Sequence, residues 1–409
     1  MRILHTSDWH LGQHFMGKSR QAEHQALIDW LLVQVDAHQV DAVLIAGDIF
    51  DAAAPPSHAR ELYSDMVARL HRAGVALLLL GGNHDSVATL GENRALLAVL
   101  DTHVVAAVTE PAQHVLVLPQ RDGEAGCIVC AVPFLRPRDV VQSQAGQSAQ
   151  DKQLALQKGI EAFYQSVFEA GLAQQAELQQ QLGRRVPVIA TGHLTTVGAS
   201  SNESVREIYV GSLEAFPTAA FPPADYIALG HIHKPQKVGG LEHIRYCGSP
   251  IPLGFDEAPQ HKEMLLVDLD TQGLARVTPL QVPRFQQLLI VTGNLAQLAE
   301  KLPQVAAQGC PEKPVWLEVT VADDDYLSDL PARIGHLTQG LPVELLRVRR
   351  QRGNTPAAMP SQALETLDEL NPEEVFARRL ALEDLPAELH TALSQRFANV
   401  LSRIHEEAA

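Results

Sequence analysis

Cysteine is scarce in this chain: four residues in 409, too few for a disulfide framework and in keeping with a reducing cytosol. Long hydrophobic runs are missing as well. The strongest, VALLLLGG, falls far short of the ~20 apolar residues that a bilayer-spanning helix needs. The opening MRILHTSD has neither a long apolar stretch nor a small-residue cleavage site, so no export signal is expected. Positive charge is the third shortage. Lysine and arginine number 32 against 48 aspartates and glutamates, giving a formal net charge of −16 and a pI near 5.5. Such a balance argues against a broad basic surface for a phosphate backbone. A phosphate-handling site here would draw positive charge from bound cations, a local patch or a partner.

Two of the cysteines, Cys127 and Cys130, form a C-x-x-C inside CIVCAV. That run is apolar and β-branched and reads as a strand, on which residues three apart face opposite sides. The thiols are therefore expected in the core rather than on a shared metal, and no second pair completes a zinc site.

What is present is an ordinary globular composition, 46% hydrophobic and 20% charged, in a chain long enough for two or three units. No internal repeat is visible. Up to about residue 275, short apolar runs alternate with amphipathic stretches. RILH, DAVLIAG, VALLLLGG, HVVAAV, HVLVL, CIVCAV, VPVIATG, DYIALG, IRYCG and EMLLVDL read as strands. Leu27, Trp30, Leu31 and Val35 mark one helix face; Leu62, Met66, Val67 and Leu70 mark another, with Ser57 as its N-cap. Lys152 to Leu182 reads as a long helix pair or insertion. Near-continuous apolar strands between helices predict an α/β domain of sheets covered by helices over residues 1–280. From 283 to 350, FQQLLIV, NLAQLAEKL, VWLEVTV, YLSDLPARIGHL and VELLRVRR predict a small βαβαβ unit. QRGNTPAAMPSQ opens a linker over 351–365, and 366–409 reads as a helical tail. On that tail Leu389, Leu393, Phe397, Leu401 and Ile404 recur every three or four residues, a stripe suited either to its own domain or to a partner helix.

Five short motifs share one placement, each directly after an apolar strand: SDWH, GDIFD, GGNHD, TGHLT and GHIH. Loops beyond the carboxyl ends of strands are where α/β sheets build their sites. Asp8, His10, Asp48, Asn83, His193, His231 and His233 would meet there, supplying carboxylate, imidazole and amide but no thiolate. That donor set suits Mn²⁺ or Fe²⁺, with Mg²⁺ or Zn²⁺ as substitutes. Seven side chains exceed what one ion needs, and suffice for two if a carboxylate bridges. Asp8 and His10, like His231 and His233, are two apart, so an extended segment would aim both at one face. Asn83 and His84, being adjacent, would diverge, one to metal and the other to substrate. Any one of these motifs alone is common turn chemistry; five in this order form a constellation.

A rival motif overlaps the first. GQHFMGKS, residues 12–19, satisfies the phosphate-loop pattern G-x-x-x-x-G-K-[ST]. A true phosphate loop needs a strand running straight into its first glycine and a helix starting at the Lys-Ser. Here both would-be ligands lie between the strand and Gly12, so no bound nucleotide is expected. Lys18 and Arg20 are left as loop charges, of a kind that usually does nothing so specific as contact DNA.

The series D-x-H, G-D-x-x-D, G-N-H-D, G-H and G-H-x-H resembles the calcineurin-like metallophosphoesterase superfamily. With VGAS, ALGHIHKPQ and YCGSPIPLGFDE the chain is similar, over most of its length, to Mre-type DNA-repair nucleases and to the bacterial branch that works with the ATPase SbcC. The resemblance implies a layered β-sandwich flanked by helices, a small α/β capping domain that recognises DNA, and a tail docking on the SbcC coiled coil. It implies a pair of divalent ions, Mn²⁺ first and Mg²⁺ second, with Asp48 bridging. Asp8, His10 and His233 would complete one ion site and Asn83, His193 and His231 the other. His84 would sit by the leaving oxygen with Asp85 orienting it. The implied activity is ATP-dependent 3′–5′ exonuclease action on double-stranded ends and endonuclease action on single strands or hairpins, in recombination, replication and repair. The complex would hold two copies of each subunit in the cytosol, associated with the nucleoid. A phosphatase or cyclic-nucleotide phosphodiesterase on the same frame is the alternative. Against a phosphoprotein phosphatase, Ala52 stands where an Arg is usual and Asp85 where a Glu is. A non-catalytic DNA-end adaptor is the other alternative. Arg136, Arg138 and Arg206 lie near motif loops, though surface ion pairing suits each of them as well as DNA contact.

Overall fold

The structure, a computed structural model, describes residues 1–351 except 142–147, 201–204, 206–214 and 323–328, and beyond 351 only residues 376, 380, 389, 391–397 and 400. The chain divides into two compact units, Met1–Arg349 and Arg350–Ala409.

All ten apolar runs form strands, and they are shared between two six-stranded sheets. In the first sheet the order is Gly273–Gln281, Glu263–Asp270, Arg2–Thr6, Ala42–Ile45, Ala76–Leu80 and Thr102–Val105. The last four run parallel to one another, while Glu263–Asp270 pairs antiparallel with Arg2–Thr6. In the second sheet the order is Gln236–Lys237, Ile244–Tyr246, Tyr226–Gly230, Val188–His193, Ala125–Cys130 and Val115–Pro119, parallel through its four middle strands.

Strand alternation builds three apolar layers from these runs. Ile3, Leu44, Leu78 and Val267 meet Cys127, Val129, Ile189 and Ala228 between the sheets. On the outer side of the first sheet, Leu4, Val43, Ile45, Leu77 and Leu79 pack with Leu27 and Leu31 of the helix Gln21–Ala37 and Met66 and Leu70 of the helix Ser57–Arg72. On the outer side of the second, Ile128, Cys130, Val188 and Ile227 pack with Leu156, Ile160, Tyr164 and Val167. Those four come from one unbroken helix, Ala149–Leu182, of 34 residues, so the segment is a single helix and not a pair. Burying both faces of both sheets explains why the strands read as continuous hydrophobic runs. Cys127 and Cys130 fall in different layers, each buried, and burial pushes the Cys130 thiol up to about 12.

Local chemistry departs from expectation at one helix cap. Ser57 is the first helical residue and Pro56 occupies the cap position, where proline's fixed φ preorganises the turn. Residues 12–19 are not a phosphate loop. His14–Phe15 and Lys18–Ser19 form a small hairpin turned at Met16 and Gly17, both at positive φ, and the next helix starts only at Gln21.

The βαβαβ segment forms a three-stranded sheet, Leu288–Gly293, Val315–Val321 and Val343–Arg350, with helices Leu295–Ala306 and Leu330–Thr338. Phe15 reaches from the hairpin into a second contact layer with Phe255, Leu288 and Trp316. In the C-terminal unit, residues 391–397 are helical, and Phe397 stacks on Phe376 of the same unit at 3.9 Å. Leu393 is half-buried; Leu401 and Ile404 lie outside the described residues. Among the described residues no helix is long and apolar enough to cross a membrane.

Candidate metal centre

The parallel strands of both sheets release their loops at one rim. Asp8 follows Arg2–Thr6, Asp48 follows Ala42–Ile45, Asn83 follows Ala76–Leu80, His193 ends its own strand, and His231 and His233 follow Tyr226–Gly230. The backbone then bends sharply. Asp8 (φ 55°), His10 (φ 49°), Asp48 (φ 52°) and His231 (φ 92°) all sit in left-handed conformations that non-glycine residues rarely adopt. The paired residues therefore converge through kinks rather than by lying two apart on an extended segment, contrary to expectation. Strain held at four such positions is typical of built sites. Two loops are stitched together where they kink, with Asp8 N–H donating to Gly47 O and His10 N–H to Asp48 O, both at 3.0 Å.

Convergence is tight. One ligand atom each from Asp8, His10 and His233 falls within 4.8 Å of the others, and the same holds for Asp48, His193 and His231 and for His10, Asp48 and His84. Asp48 joins the groups: its Oδ2 lies 3.7 Å from His10 Nε2 and 3.2 Å from His193 Nε2. Asn83 Oδ1 is 2.9 Å from that same His193 Nε2. Asp8, His10, Asp48, His193, His231 and His233 are all nearly inaccessible to solvent.

Every imidazole but one of the ligand set has its Nδ1 tied to an acceptor. His10 Nδ1 bonds Asp51 Oδ1 at 3.1 Å, His193 Nδ1 bonds Ala46 O at 2.8 Å, and His233 Nδ1 bonds Glu257 Oε1 at 2.8 Å. Such contacts fix the ring and its tautomer and leave Nε2 for a cation. His10 Nε2 is buried without any hydrogen-bond partner, and so is Nε2 of His231, the remaining ring of the four. An orphaned imidazole nitrogen in a buried cluster of carboxylates fits a cation, because leaving it bare costs about 1–3 kcal/mol.

The electrostatics agree. Burial would push His193 down, yet the Asp48 carboxylate outweighs it and raises the ring to about 9. Burial opposes His10 too, but Asp51, Asp48 and Asp8 raise it. Burial and the neighbouring His193 push His231 well down. Asp48, despite burial, is held well below the carboxylate range by His193, His10 and His84. Carboxylates gathered this closely draw positive charge, and divalent cations satisfy them by displacing protons from the imidazoles.

His84 and Asp85 divide their work in an unexpected way. The His84 ring is set by Asp51, whose main-chain carbonyl lies 2.8 Å from Nδ1. The Asp85 carboxylate instead accepts from the backbone N–H groups of Ile49, Phe50 and Gly82 at 2.9–3.1 Å, locking the Asp48 loop to the Asn83 loop. Asp85 thus positions the backbone rather than the imidazole. Burial and the nearby Asp48 raise its pKa to about 6. His84 N–H donates to Asp48 Oδ1 at 2.9 Å.

Asp51, Glu257, Lys262 and Ser7 carry site contacts that pattern reading did not assign. Ser7 Oγ donates to Asp8 Oδ2 at 2.5 Å and His231 N–H to both Asp8 oxygens at 3.0 and 3.1 Å. Asp51 and Glu257 stand inside the quoted GDIFD and GFDE stretches, but each is far along the chain from the imidazole it meets, so no local pattern pairs them. A cleft of about 370 Å³ at the cluster is lined by His10, His84 and His233 together with Met16, Phe255 and Arg347. Arg347 comes from the three-stranded unit and pairs with the buried Glu318. Arg20 is buried and forks onto Glu23 and the Pro252 carbonyl, so it is not available to DNA; Lys18 pairs with Glu344 at 2.8 Å. Arg136 donates to the Asp85 carbonyl at 3.3 Å, Arg138 is exposed beside Asp139, and Arg206 lies outside the described residues.

Comparison with known proteins gives matches along the full chain. The family profile for calcineurin-like phosphoesterases matches residues 1–235, and that for the type 5 capsule protein repressor C-terminal domain matches residues 284–384. The chain is 49% identical to the SbcD subunit of the SbcCD nuclease of Escherichia coli strain K12 over 407 residues, covering 100% of this chain and 99% of that one. It is 33% identical to the Rhodobacter capsulatus protein of the same name, covering 92% and 94%, and 26% identical to the one from Bacillus subtilis, covering 94% and 91%.

Proposed function

The chain belongs to the calcineurin-like phosphoesterases, and within them to the SbcD nuclease subunits, and from that premise we propose a dimetal DNA nuclease built on the cluster described above. It is a metal-dependent phosphodiester hydrolase and a nuclease subunit of SbcCD type. Asp8, His10 and His233 would hold one ion and Asn83, His193 and His231 the other, with the Asp48 carboxylate available to both groups. The observation that carries this reading is the pair of orphaned, buried Nε2 atoms on His10 and His231, one in each ligand group.

Two divalent ions in these positions, Mn²⁺ or Mg²⁺, would bring paired positive charge to a phosphodiester and lower the pKa of a water for in-line displacement. The chain's own groups do the rest. Asp48 and the loops it joins set the spacing of the ligand groups. His84 lines the cleft with Nδ1 held by a carbonyl, which can only accept. Nδ1 therefore carries the hydrogen, and Nε2 can protonate a leaving oxygen only when the ring is an imidazolium. Residues 283–350 serve as the capping domain that positions DNA over the cleft, and 366–409 as the tail that docks on the coiled coil of SbcC. That ATPase gates the site for 3′–5′ double-strand exonuclease and single-strand or hairpin endonuclease cleavage, in an assembly with two copies of each subunit that serves replication, recombination and repair in the cytosol, at the nucleoid.

The test is a pair of variants assayed with Mn²⁺ on hairpin DNA and on a phosphopeptide. Asp48→Ala is expected to lose both ions and cleavage. His84→Gln is expected to keep the ions while turnover drops about 10²–10⁴-fold, the usual worth of one proton-transfer group. Turnover of the phosphopeptide alone would end the nuclease reading, and undiminished DNA processing by Asp48→Ala would favour a non-catalytic adaptor.

A further inference from the structure

The ligand imidazoles are held in unequal ways. His193 leans on a main-chain carbonyl and His10 on a carboxylate whose side chain is about one-third exposed. His233 alone among them leans on a fully buried ion pair, Glu257 with Lys262 at 2.6 Å. Lys262 Nζ shares its three N–H groups among four oxygens: the main-chain carbonyl of His233 at 2.9 Å, Ser249 Oγ at 2.9 Å, Gln260 Oε1 at 3.1 Å and Glu257 Oε2. Glu257 Oε1 takes the His233 ring, while Oε2 also accepts from Ser249 Oγ and Leu253 N–H at 3.1 Å each. One ammonium thus grips His233 twice, directly at its backbone and through Glu257 at its ring.

Burying two charges is expensive, and an apolar pair of similar volume would often stabilise a fold as well or better. Fold stability alone is a weak reason for this arrangement. Its geometry points elsewhere. The network's direct contacts to the ligand set are all with His233, and it fixes the two features that aim Nε2 at Asp8 and His10: the ring plane and the backbone beneath it. No residue of the network offers a ligand atom to the three candidate ion groups.

We propose that Lys262 and Glu257 are positioning residues for His233, and that this buried pair sets how tightly the ion at Asp8, His10 and His233 is held. The inference rests on the dimetal reading above. Its consequence is an asymmetry: disturbing the pair weakens one ion and spares the other, which Asp48, Asn83, His193 and His231 hold without it.

The experiment uses the full chain and three variants, Lys262→Met, Glu257→Gln and the two combined. The double variant preserves side-chain volume and leaves no unpaired buried charge, so it decides the matter even where a single variant fails to fold. Mn²⁺ uptake is followed by calorimetry, the ion pair by electron paramagnetic resonance, and fold stability by melting in EDTA. The unaltered chain is expected to bind two ions with an exchange-coupled signal. The double variant should hold one ion as before and the other at least tenfold more weakly, with an uncoupled Mn²⁺ signal at one equivalent. A double variant that melts lower in EDTA yet binds both ions as the unaltered chain does would overturn the proposal and leave the pair a purely structural device. If the unaltered chain takes up fewer than two ions, the dimetal reading itself falls, and the proposal with it.

Discussion

At the scale of single residues, burial decides which side chains the protein can use and in which protonation state. His5 and His24 are histidines outside the ligand set, both fully buried. Burial holds His5 near 3, against 6.5 when unfolded, and burial together with Arg20 holds His24 near 3 as well. Between those limits the unfolded chain binds protons that the fold refuses. Stability is therefore complete above pH 6.5 and falls as pH drops through that window. His5 Nδ1 lies 2.9 Å from Tyr226 Oη, and burial outweighs the support that the Leu229 backbone gives the charged ring. His5→Leu removes one of these groups, so the variant should lose about 1 kcal/mol less than the unaltered chain between pH 7.5 and pH 5.5. Urea unfolding midpoints at the two pH values measure this, and an undiminished acid loss in His5→Leu would contradict it. Legibility at this scale followed chemistry. That Asp8, His10, Asp48, Asn83, His193, His231 and His233 come together could be read from sequence because each follows an apolar strand within a short turn motif. Glu257, Lys262 and the role of Asp51 could not. Their partners are set by loop paths, and no periodicity reports where a loop goes. Asp85 was recognised as a site residue, but its true partners are backbone N–H groups, which no side-chain pattern displays.

At the scale of elements, the strands do two jobs, filling the apolar layers and bringing the clustered Asp and His side chains to one rim. Their interiors were legible because both faces are buried, which writes each strand as an unbroken apolar run. The strand Gly273–Gln281 was missed for the opposite reason: it is an edge strand whose side chains are largely exposed or half-buried, so its run GLARVTPLQ has no such signature. Likewise the kinks at Asp8 and His10 replace the extended geometry that residue spacing suggested, because backbone N–H groups of one loop bond carbonyls of the next. Such close approach makes glycine necessary at strand ends. A Cβ on Gly230 would lie 1.9 Å from Ala46 O and 2.9 Å from His193 Nδ1. Ala46 O is the atom that orients His193, so Gly230→Ala cannot be relieved without moving that ring. The expected outcome is weakened Mn²⁺ binding together with a stability loss of about 2–4 kcal/mol, the range of a core packing error. Gly335 is the control. It sits in the helix Leu330–Thr338, where an added Cβ would meet nothing within 4 Å, and Gly335→Ala should stabilise by up to about 1 kcal/mol while leaving metal uptake alone. Calorimetric Mn²⁺ titration and urea melts on both variants decide the point; equal metal affinity in Gly230→Ala would show that the strand end is not part of the site's scaffold.

At the scale of the whole molecule, the charge balance has to be reconciled with a polyanionic substrate. Thirty-two basic residues face 48 acidic ones, a net charge of −16. Several arginines that might have met DNA are engaged with the protein itself: Arg20 lies buried on Glu23, Arg185 pairs with Asp225, and Arg347 pairs with Glu318. A surface of this kind releases few counterions from a duplex, so the chain on its own should bind DNA with a shallow salt dependence. The slope of log K against log salt is about −0.9 per phosphate neutralised; with only a few contacts around the cleft it should be about −3 or shallower. The divalent ions proposed for the Asp and His cluster would add attraction only there, so replacing Mn²⁺ by EDTA should weaken binding markedly, and more so than doubling the salt does. Fluorescence anisotropy on a short hairpin, with the chain alone and then with SbcC added, reads both effects. Binding with a slope near −8 and no dependence on Mn²⁺ would mean that a basic surface carries the DNA after all. A slope that steepens only when SbcC is present would place the backbone-binding charge on the ATPase, and leave this subunit to supply the cations and the geometry that cut.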